Sequence, residues 1–414
     1  MKNSEVFDPL FRKSLKIFIG VVVLICSFPI IFTTIFTGID FTHKGAIGDT
    51  IGGTMGPFIA IAAAVLTFLA FWIQYKANEI QIEANSKQDE KNQILQFENR
   101  FFELLRLHRA NIEELSYAKF NGDQWQTAEN RKVFREIYKE FIECYREVKK
   151  FSNSTNPDDY LLPKYQIKLK KIIVNINPHI SIIEMVIIDI AYSIIFFGIG
   201  IEGEAVLRHK FLKKCNNTYL FRLLTFIKMK PKKENILLFQ KWQEIRKLDL
   251  VNLNPLIEEI YILRKSINPT LETSQYAKDF FDGTKYKKYY GGHQHRLGHY
   301  FRHLFQSYKF LNSFSLLKDE EKYFFGKTLR AQLSTYEQVL LFFNSISSIG
   351  WKWEFSPDLG DTTKLSGEEF LKTTESAKLI TKYQLIKNIP DTQLYGIKCK
   401  SYYPKVKFES EESN

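Results

Sequence analysis

Apolar residues are unevenly spread along this chain: two uncharged runs lie near the N-terminus, and beyond them apolar positions recur at helical spacing. Ile17 to Phe36 is twenty residues without a charge, fourteen of them Ile, Leu, Val or Phe. At about 1.5 Å per residue a helix of that length spans roughly 30 Å, the hydrocarbon thickness of a bilayer. Each such side chain favours insertion by about 0.3–0.6 kcal/mol, roughly −6 kcal/mol over the run. A second uncharged run covers Met55 to Tyr75. The pattern predicts a transmembrane hairpin over residues 17–75, with spans at 17–37 and 55–75. A cleaved signal fits poorly, because the first run is longer than a usual signal core and Ser27-Phe28-Pro29 lacks the small-residue cleavage pattern. Arg12, Lys13 and Lys16 precede the first span and Lys76 follows the second, whereas the loop between carries one Lys and two Asp. Positive-inside counting therefore puts residues 1–16 and everything after Lys76 in the cytoplasm.

Gly52, Gly56, Ala60 and Ala64 recur every fourth residue and share one face of the second span. Small residues let membrane helices approach closely, and two partners would satisfy such a face: the first span, or a second copy of the chain. The run Ile180–Gly200 is a decoy. It has twelve Ile, Val or Phe residues but also Glu184 and Asp189. Two mid-membrane carboxylates cost about 6 kcal/mol against a gain of about 5, so a buried core helix is expected, with Asn177-Pro178 at its start.

Residues 76–115 lack Pro and Gly and are predicted to continue the second span as a helical stalk. Ala77, Ile80, Ala84, Ile94, Phe101, Leu105, Ile112 and Leu115 form a stripe that suits either a coiled stalk or packing on the following domain. Residues 116–414 are expected to be an all-helical cytoplasmic domain. Helical periodicity covers Glu129–Lys150, Leu238–Ser266, Leu297–Phe314, Phe325–Ser348 and Glu368–Lys387, and no sustained alternation marks a strand. Ser152–Asp159 and Trp351–Gly367 read as loops. The fold class is mostly α.

Composition sharpens this picture only modestly. The chain has 414 residues, 45% hydrophobic and 25% charged, which excludes both a disordered chain and a polytopic membrane protein. Its four cysteines lie far apart, arguing against disulfide frameworks and cysteine zinc sites. The net charge of +12 is dispersed; the densest cluster, Lys228, Lys230, Lys232 and Lys233 around Pro231, suits a solvated basic loop better than a lipid or nucleic-acid contact.

No phosphate loop, dinucleotide fingerprint, nucleophile elbow or HExxH is present, so no cofactor and no catalytic set is expected. The segment Gly291–His303, GGHQHRLGHYFRH, holds half of the chain's histidines. His295, His299 and His303 would line one helix face, but three His on one rigid helix cannot close round one ion, and no metal site is expected. A ribonuclease of the HEPN kind would use an Arg and a His a few residues apart, here Arg296 with His303 or Arg302 with His299. Leu297 departs from that pattern. The alternative is that Tyr300, Phe301, Leu304 and Phe305 are core while His299 and Arg302 bond neighbouring helices.

Five segments, in order, resemble the phage abortive infection proteins of the AbiC-like family. They are GDTIGGTMGPFIAIAAAVLTFLAF (Gly48–Phe71), QFENRFFELLRLHRANI (Gln96–Ile112), NRKVFREIYKEF (Asn130–Phe141), LGHYFRHLFQSYKFL (Leu297–Leu311) and LRAQLSTYEQVLLFFN (Leu329–Asn344). The resemblance implies antiviral defence: two spans in a bacterial inner membrane, both termini cytoplasmic, and a helical domain that senses infection. It implies as partners the lipid bilayer, further copies of the chain, and a phage or host trigger protein or a retron nucleoprotein, with nucleic acid open. Gly298, His299, Tyr300, Phe301, Arg302, Arg330, Gln332, Ser334, Glu337 and Asn344 are the motif residues it marks for sensing or domain integrity. The expected function is a non-enzymatic effector that perturbs the membrane; the rival is a tethered HEPN-like ribonuclease.

Overall fold

Helix α1, Gly45–Glu113, carries Pro57 within it and runs for 69 residues, so the second apolar run and the polar stretch after it belong to one element. Its part from Gly52 onward is, among the described residues, the one helix long and apolar enough to cross a membrane, by length and composition alone. The computed structural model describes residues 45–265, 273–281, 285–357, 359, 367–390 and 394–411, with individual helical positions between 13 and 27. Most of the first predicted span, the N-terminal segment before Lys13 and the loop up to residue 44 lie outside the described residues. The chain divides into two units, Met1–Gln96 and Phe97–Asn414.

In the first unit Ile17, Gly20, Val21 and Leu24 line an apolar cleft with Met55, Phe58, Ile59 and Ala62. The small-residue stripe lies on an adjoining face of α1, and a Cβ built on Gly52 or Gly56 meets no described atom within 4 Å.

The second unit is not all-helical. Ser116–Phe120 (β1) and Trp125–Glu129 (β2) form an antiparallel hairpin, register Ser116 to Glu129 through Phe120 to Trp125. The turn signal is Asn121-Gly122: Gly122 has φ +122°, and the Asn121 side chain accepts from the N–H groups of Asp123 and Gln124. Strands of five residues, β2 exposed at all but Ala128, are too short to leave a sustained alternation in the sequence.

Helices α2 (Lys132–Lys150), α3 (Pro163–Val174), α4 (Ile182–Phe197), α5 (Ile201–Phe211) and α6 (Asn217–Met229) follow. Then come α7 (Ile236–Ile245), α8 (Leu250–Lys265), α9 (Gln275–Phe280) and a π-helical turn at Gln294–Gly298. The rest are α10 (His299–Ser313), α11 (Asp319–Arg330), α12 (Thr335–Ile346), α13 (Gly367–Ser376), α14 (Leu379–Tyr383) and α15 (Cys399–Tyr402). Three predicted helices are each broken in two. The Leu238–Ser266 pattern splits at Asp249, which caps α8 by accepting from the Asn252 N–H, while Lys150 donates to the Arg246 carbonyl at the end of α7. Phe325–Ser348 splits at Ser334, the N-cap of α12, and Glu368–Lys387 at Ala377–Lys378.

The decoy run is α4, apolar all round and buried from Met185 to Phe196. Helices α2, α3, α5 and α12 pack on it. Its N-cap is Ser181, not Asn177-Pro178, because the Ser181 hydroxyl accepts from the Glu184 N–H while Asn177 is spent on a turn to His179 and on the Ser401 carbonyl. Asp189 is affordable in this core because Ser348 donates to it through both N–H and hydroxyl (2.8 and 2.9 Å), with the Tyr165 hydroxyl at 3.4 Å and Lys214 at 3.7 Å.

At the C-terminal end of α4 two backbones touch. Gly198 (φ +80°) and Gly292 (φ +87°) face each other so closely that a Cβ on either would lie 2.8 Å from the other segment's backbone. Across this contact His293 donates its N–H to the Ile195 and Phe196 carbonyls. Replacing Gly292 with Ala combines positive φ with a backbone clash and should cost roughly 1–3 kcal/mol or more. Gly396→Ala shares the positive φ but has open space around its Cβ, so its thermal midpoint is expected to fall less in the same melting experiment.

Candidate functional site

Two arrays of buried polar groups meet on α2. Glu140, Glu143 and Glu147 lie along one face of that helix, at spacings of three and four. Glu140 accepts from His293 Nε2 at 3.0 Å, from Lys119 Nζ at 3.2 Å and from the Tyr117 hydroxyl. Arg296 Nη1 approaches His293 Nδ1 at 3.3 Å. Arg296 also donates to the Ser116 carbonyl at 2.8 Å and lies over the Tyr117 ring. Burial alone would raise the Glu140 carboxyl; the hydrogen bond and charge of His293, then Lys119 and Tyr117, bring it down to about 2. One helical turn on, Lys230 is 1% exposed and donates to Glu143 (2.9 Å), Glu147 (2.8 Å) and the Tyr290 hydroxyl (3.0 Å), under the face of the Tyr289 ring.

These contacts revise the reading of the lysine cluster. Lys230 is a buried cation and Lys228 pairs with Glu204, so only Lys232 and Lys233 keep the character of a basic loop; both border the small Tyr117–Lys119 recess above Glu140. The recess holds only about 20 Å³, too little for a substrate. With Glu140 and Glu147 paired, the array pins α2 to β1 and to the segment after Gly292.

The second array grips the end of α1. From Phe97 onward the stripe on that helix is buried at Phe97, Phe101, Leu105, His108 and Ile112. Phe97 stacks on Phe314 (centroids 4.4 Å) and Phe310 (5.2 Å) and meets Phe325 edge-on; Phe101 also meets Phe325. His108 packs between Tyr300 (5.2 Å) and His303 (6.1 Å). No described group bonds either nitrogen of His108 or of His303. Arg109 Nε donates to Gln332 Oε1, and Arg131 Nη2 to the Gln332 carbonyl. The fully buried Glu337 accepts from the Tyr300 hydroxyl at 2.8 Å and from the Ser334 N–H at 2.6 Å, and Ser334 returns the bond, a reciprocal cap for α12.

The sequence-marked residues therefore fall into distinct places. Tyr300, Gln332, Ser334 and Glu337 belong to the grip on α1. Gly298 precedes α10 against the Phe196 ring, and Phe301 is buried. Arg330 is buried and donates to the Tyr383 and Gln384 carbonyls at the end of α14; Asn344 donates to the Tyr192 hydroxyl inside the core. His299 and Arg302 are exposed and form no hydrogen bond to a described residue, contrary to the expected helix contacts. Arg296 sits in the Glu140 array and His303 beside His108; no hydrogen bond joins them among the described residues. His295 lies in the π turn and His299 and His303 in α10, and among the described residues no three His, Cys, Asp or Glu are placed to hold a metal ion. Glu140 and His108 carried no expectation of their own, His293 was only one of the histidines in the Gly291–His303 segment, and Lys230 was read as part of a solvated basic loop. A signal existed for His108, which keeps the stripe's spacing between Leu105 and Ile112.

Residues 292–356 match the family model described as "Putative phage abortive infection protein". The matched stretch runs from the Gly292 contact through the π turn and α10–α12 to the turn after α12, and so includes Tyr300, His303, Phe310, Phe314, Phe325 and Gln332, the groups that grip α1. No curated protein and no solved structure matches the chain.

Two outcomes follow. Burial, aided by the positive charges of His303, Arg131 and Arg109, lowers His108 to about 4. The unfolded chain takes up this proton near pH 6.5 and the folded chain only near pH 4, so stability is complete above pH 6.5 and is lost as pH falls through that window, by roughly 3 kcal/mol in all. His108→Phe should flatten this part of the stability–pH profile, measured as thermal midpoints of the full chain. Lys230→Met leaves Glu147 buried without its cation and should cost roughly 3–5 kcal/mol; the double variant Lys230→Met with Glu147→Met should recover most of that loss in the same melting experiment.

Proposed function

We propose that this chain is a membrane-anchored abortive-infection effector. In this reading the 17–75 hairpin sits in a bacterial inner membrane with both termini cytoplasmic, and the helical domain senses a phage or host trigger, a protein or a retron nucleoprotein. Activation changes the hold of α10 and α11 on residues 97–112, and assembled hairpins then perturb the bilayer. Carrying this reading is one observation: a single helix contains both the exposed apolar stretch and the buried stretch whose aromatic partners fall inside the segment matching the abortive-infection family. Further support comes from the stripe glycines Gly52 and Gly56, around which a Cβ meets no described atom within 4 Å, a face that a second copy of the helix could approach closely. To be a switch, the domain must have two states whose balance a trigger shifts by several kcal/mol.

In infected cells expressing the chain, Gly56→Leu with Ala60→Leu should abolish protection against phage plaquing while expression and membrane recovery stay unchanged. Depolarisation of infected wild-type cells should precede any loss of cellular RNA. Full protection by the double variant would exclude close packing on that face, and RNA loss ahead of depolarisation would exclude the membrane as the target.

A further inference from the structure

A cleft of about 450 Å³ opens in the second unit between α3, the stretch after Trp353, α13, the start of α14 and the chain after α15. Its volume lies in the range of small-molecule sites. Ile172, Ile176, Phe355, Phe370, Leu371 and Tyr403 supply apolar and aromatic walls. On its buried side lies Glu354, 7% exposed. One carboxylate oxygen of Glu354 accepts from the Thr381 N–H at 3.1 Å and the other from the Thr381 hydroxyl. No ion pair reaches it among the described residues, in contrast to Glu140, Glu147 and Asp189, and burial pushes its carboxyl up to about 7. Three cations line the same cleft: Lys378 and Lys405 share Glu375 at 2.7 and 3.1 Å, and Lys171 has no ion-pair partner among the described residues.

This combination narrows the ligand. A simple cation would match Glu354 but meet three lysines; a simple anion would suit the lysines but raise the cost of the buried carboxylate. What satisfies both is a flat molecule with N–H donors at one end and negative charge at the other. Guanine presents two parallel donors, N1–H and the N2 amino group, to a single carboxylate, whereas adenine offers one amino group beside an acceptor nitrogen. Aromatic walls suit either base. We propose that this cleft binds a guanine nucleotide, its base edge on Glu354, its ring against Phe370 and Phe355, and its phosphate among Lys171, Lys378 and Lys405. The proposal is independent of the membrane role.

The test is calorimetric titration of the detergent-purified full chain with GMP, GTP, AMP and inorganic phosphate. GMP and GTP should bind saturably, AMP about tenfold more weakly or worse, in line with the discrimination of a bidentate base contact, and phosphate alone should not saturate. Glu354→Gln should erase the preference for guanine. Phe370→Ala, at an exposed helix position that leaves the fold intact, should weaken GMP, and Lys171→Ala should weaken GMP and AMP alike. Absence of guanine-nucleotide binding, equal affinity for AMP, or GMP binding unchanged in both Glu354→Gln and Phe370→Ala would each overturn the proposal.

Discussion

The second unit is organised by the need to cover α4 on every side. A helix of Ile, Val and Phe with no polar face is stable in water only when wrapped, and α2, α3, α5 and α12 do the wrapping. That constraint fixes where polar groups can go. Asp189 needs Ser348, Tyr165 and Lys214 around it, and the C-terminal end of α4 must be closed by a segment able to approach its backbone directly. Gly198 and Gly292 make that approach possible, and it carries His293 to Glu140.

Around this core the charged residues are resolved into pairs by burial rather than by number. Of four clustered lysines, one is the best-buried cation described, one bridges to α5, and two border a recess. The Glu140 and Lys230 arrays illustrate how buried carboxylates are satisfied: Glu140 and Glu147 would each be costly alone, and each has a cation or His together with a tyrosine hydroxyl. His108 and His303 differ, since their nitrogens lack described partners and their neutral forms are favoured in an aromatic setting.

The segment that matches the abortive-infection family model does two jobs in the structure. It closes the end of α4 through Gly292 and His293, and it holds residues 97–112 of α1 through a cluster of phenylalanine rings, Tyr300 and Gln332. Aromatic pairs contribute about 0.5–1.5 kcal/mol each beyond area burial, so the several ring contacts together hold residues 97–112 firmly in the second unit.

Much was legible from residue order alone: the apolar runs, the helical class and the decoy's burial in the core follow from local hydrophobicity and periodicity, which are properties of short windows, and the family resemblance rests on matching segments read one by one. The stripe through Phe101, Leu105 and Ile112 likewise marked a buried face. Tertiary structure decided what depends on residues far apart in the chain. Asn121-Gly122 makes a hairpin because β2 finds β1; Ser181 rather than Asn177 caps α4 because the Asn177 side-chain oxygen is taken by the His179 N–H while its amide is held by the distant Ser401 carbonyl. Above all, whether a charged side chain is solvated or buried cannot be read from its neighbours in sequence: Lys230 and Lys232 are two residues apart and identical in type, and only the long-range approach of Glu147 and Tyr290 makes one of them a core residue.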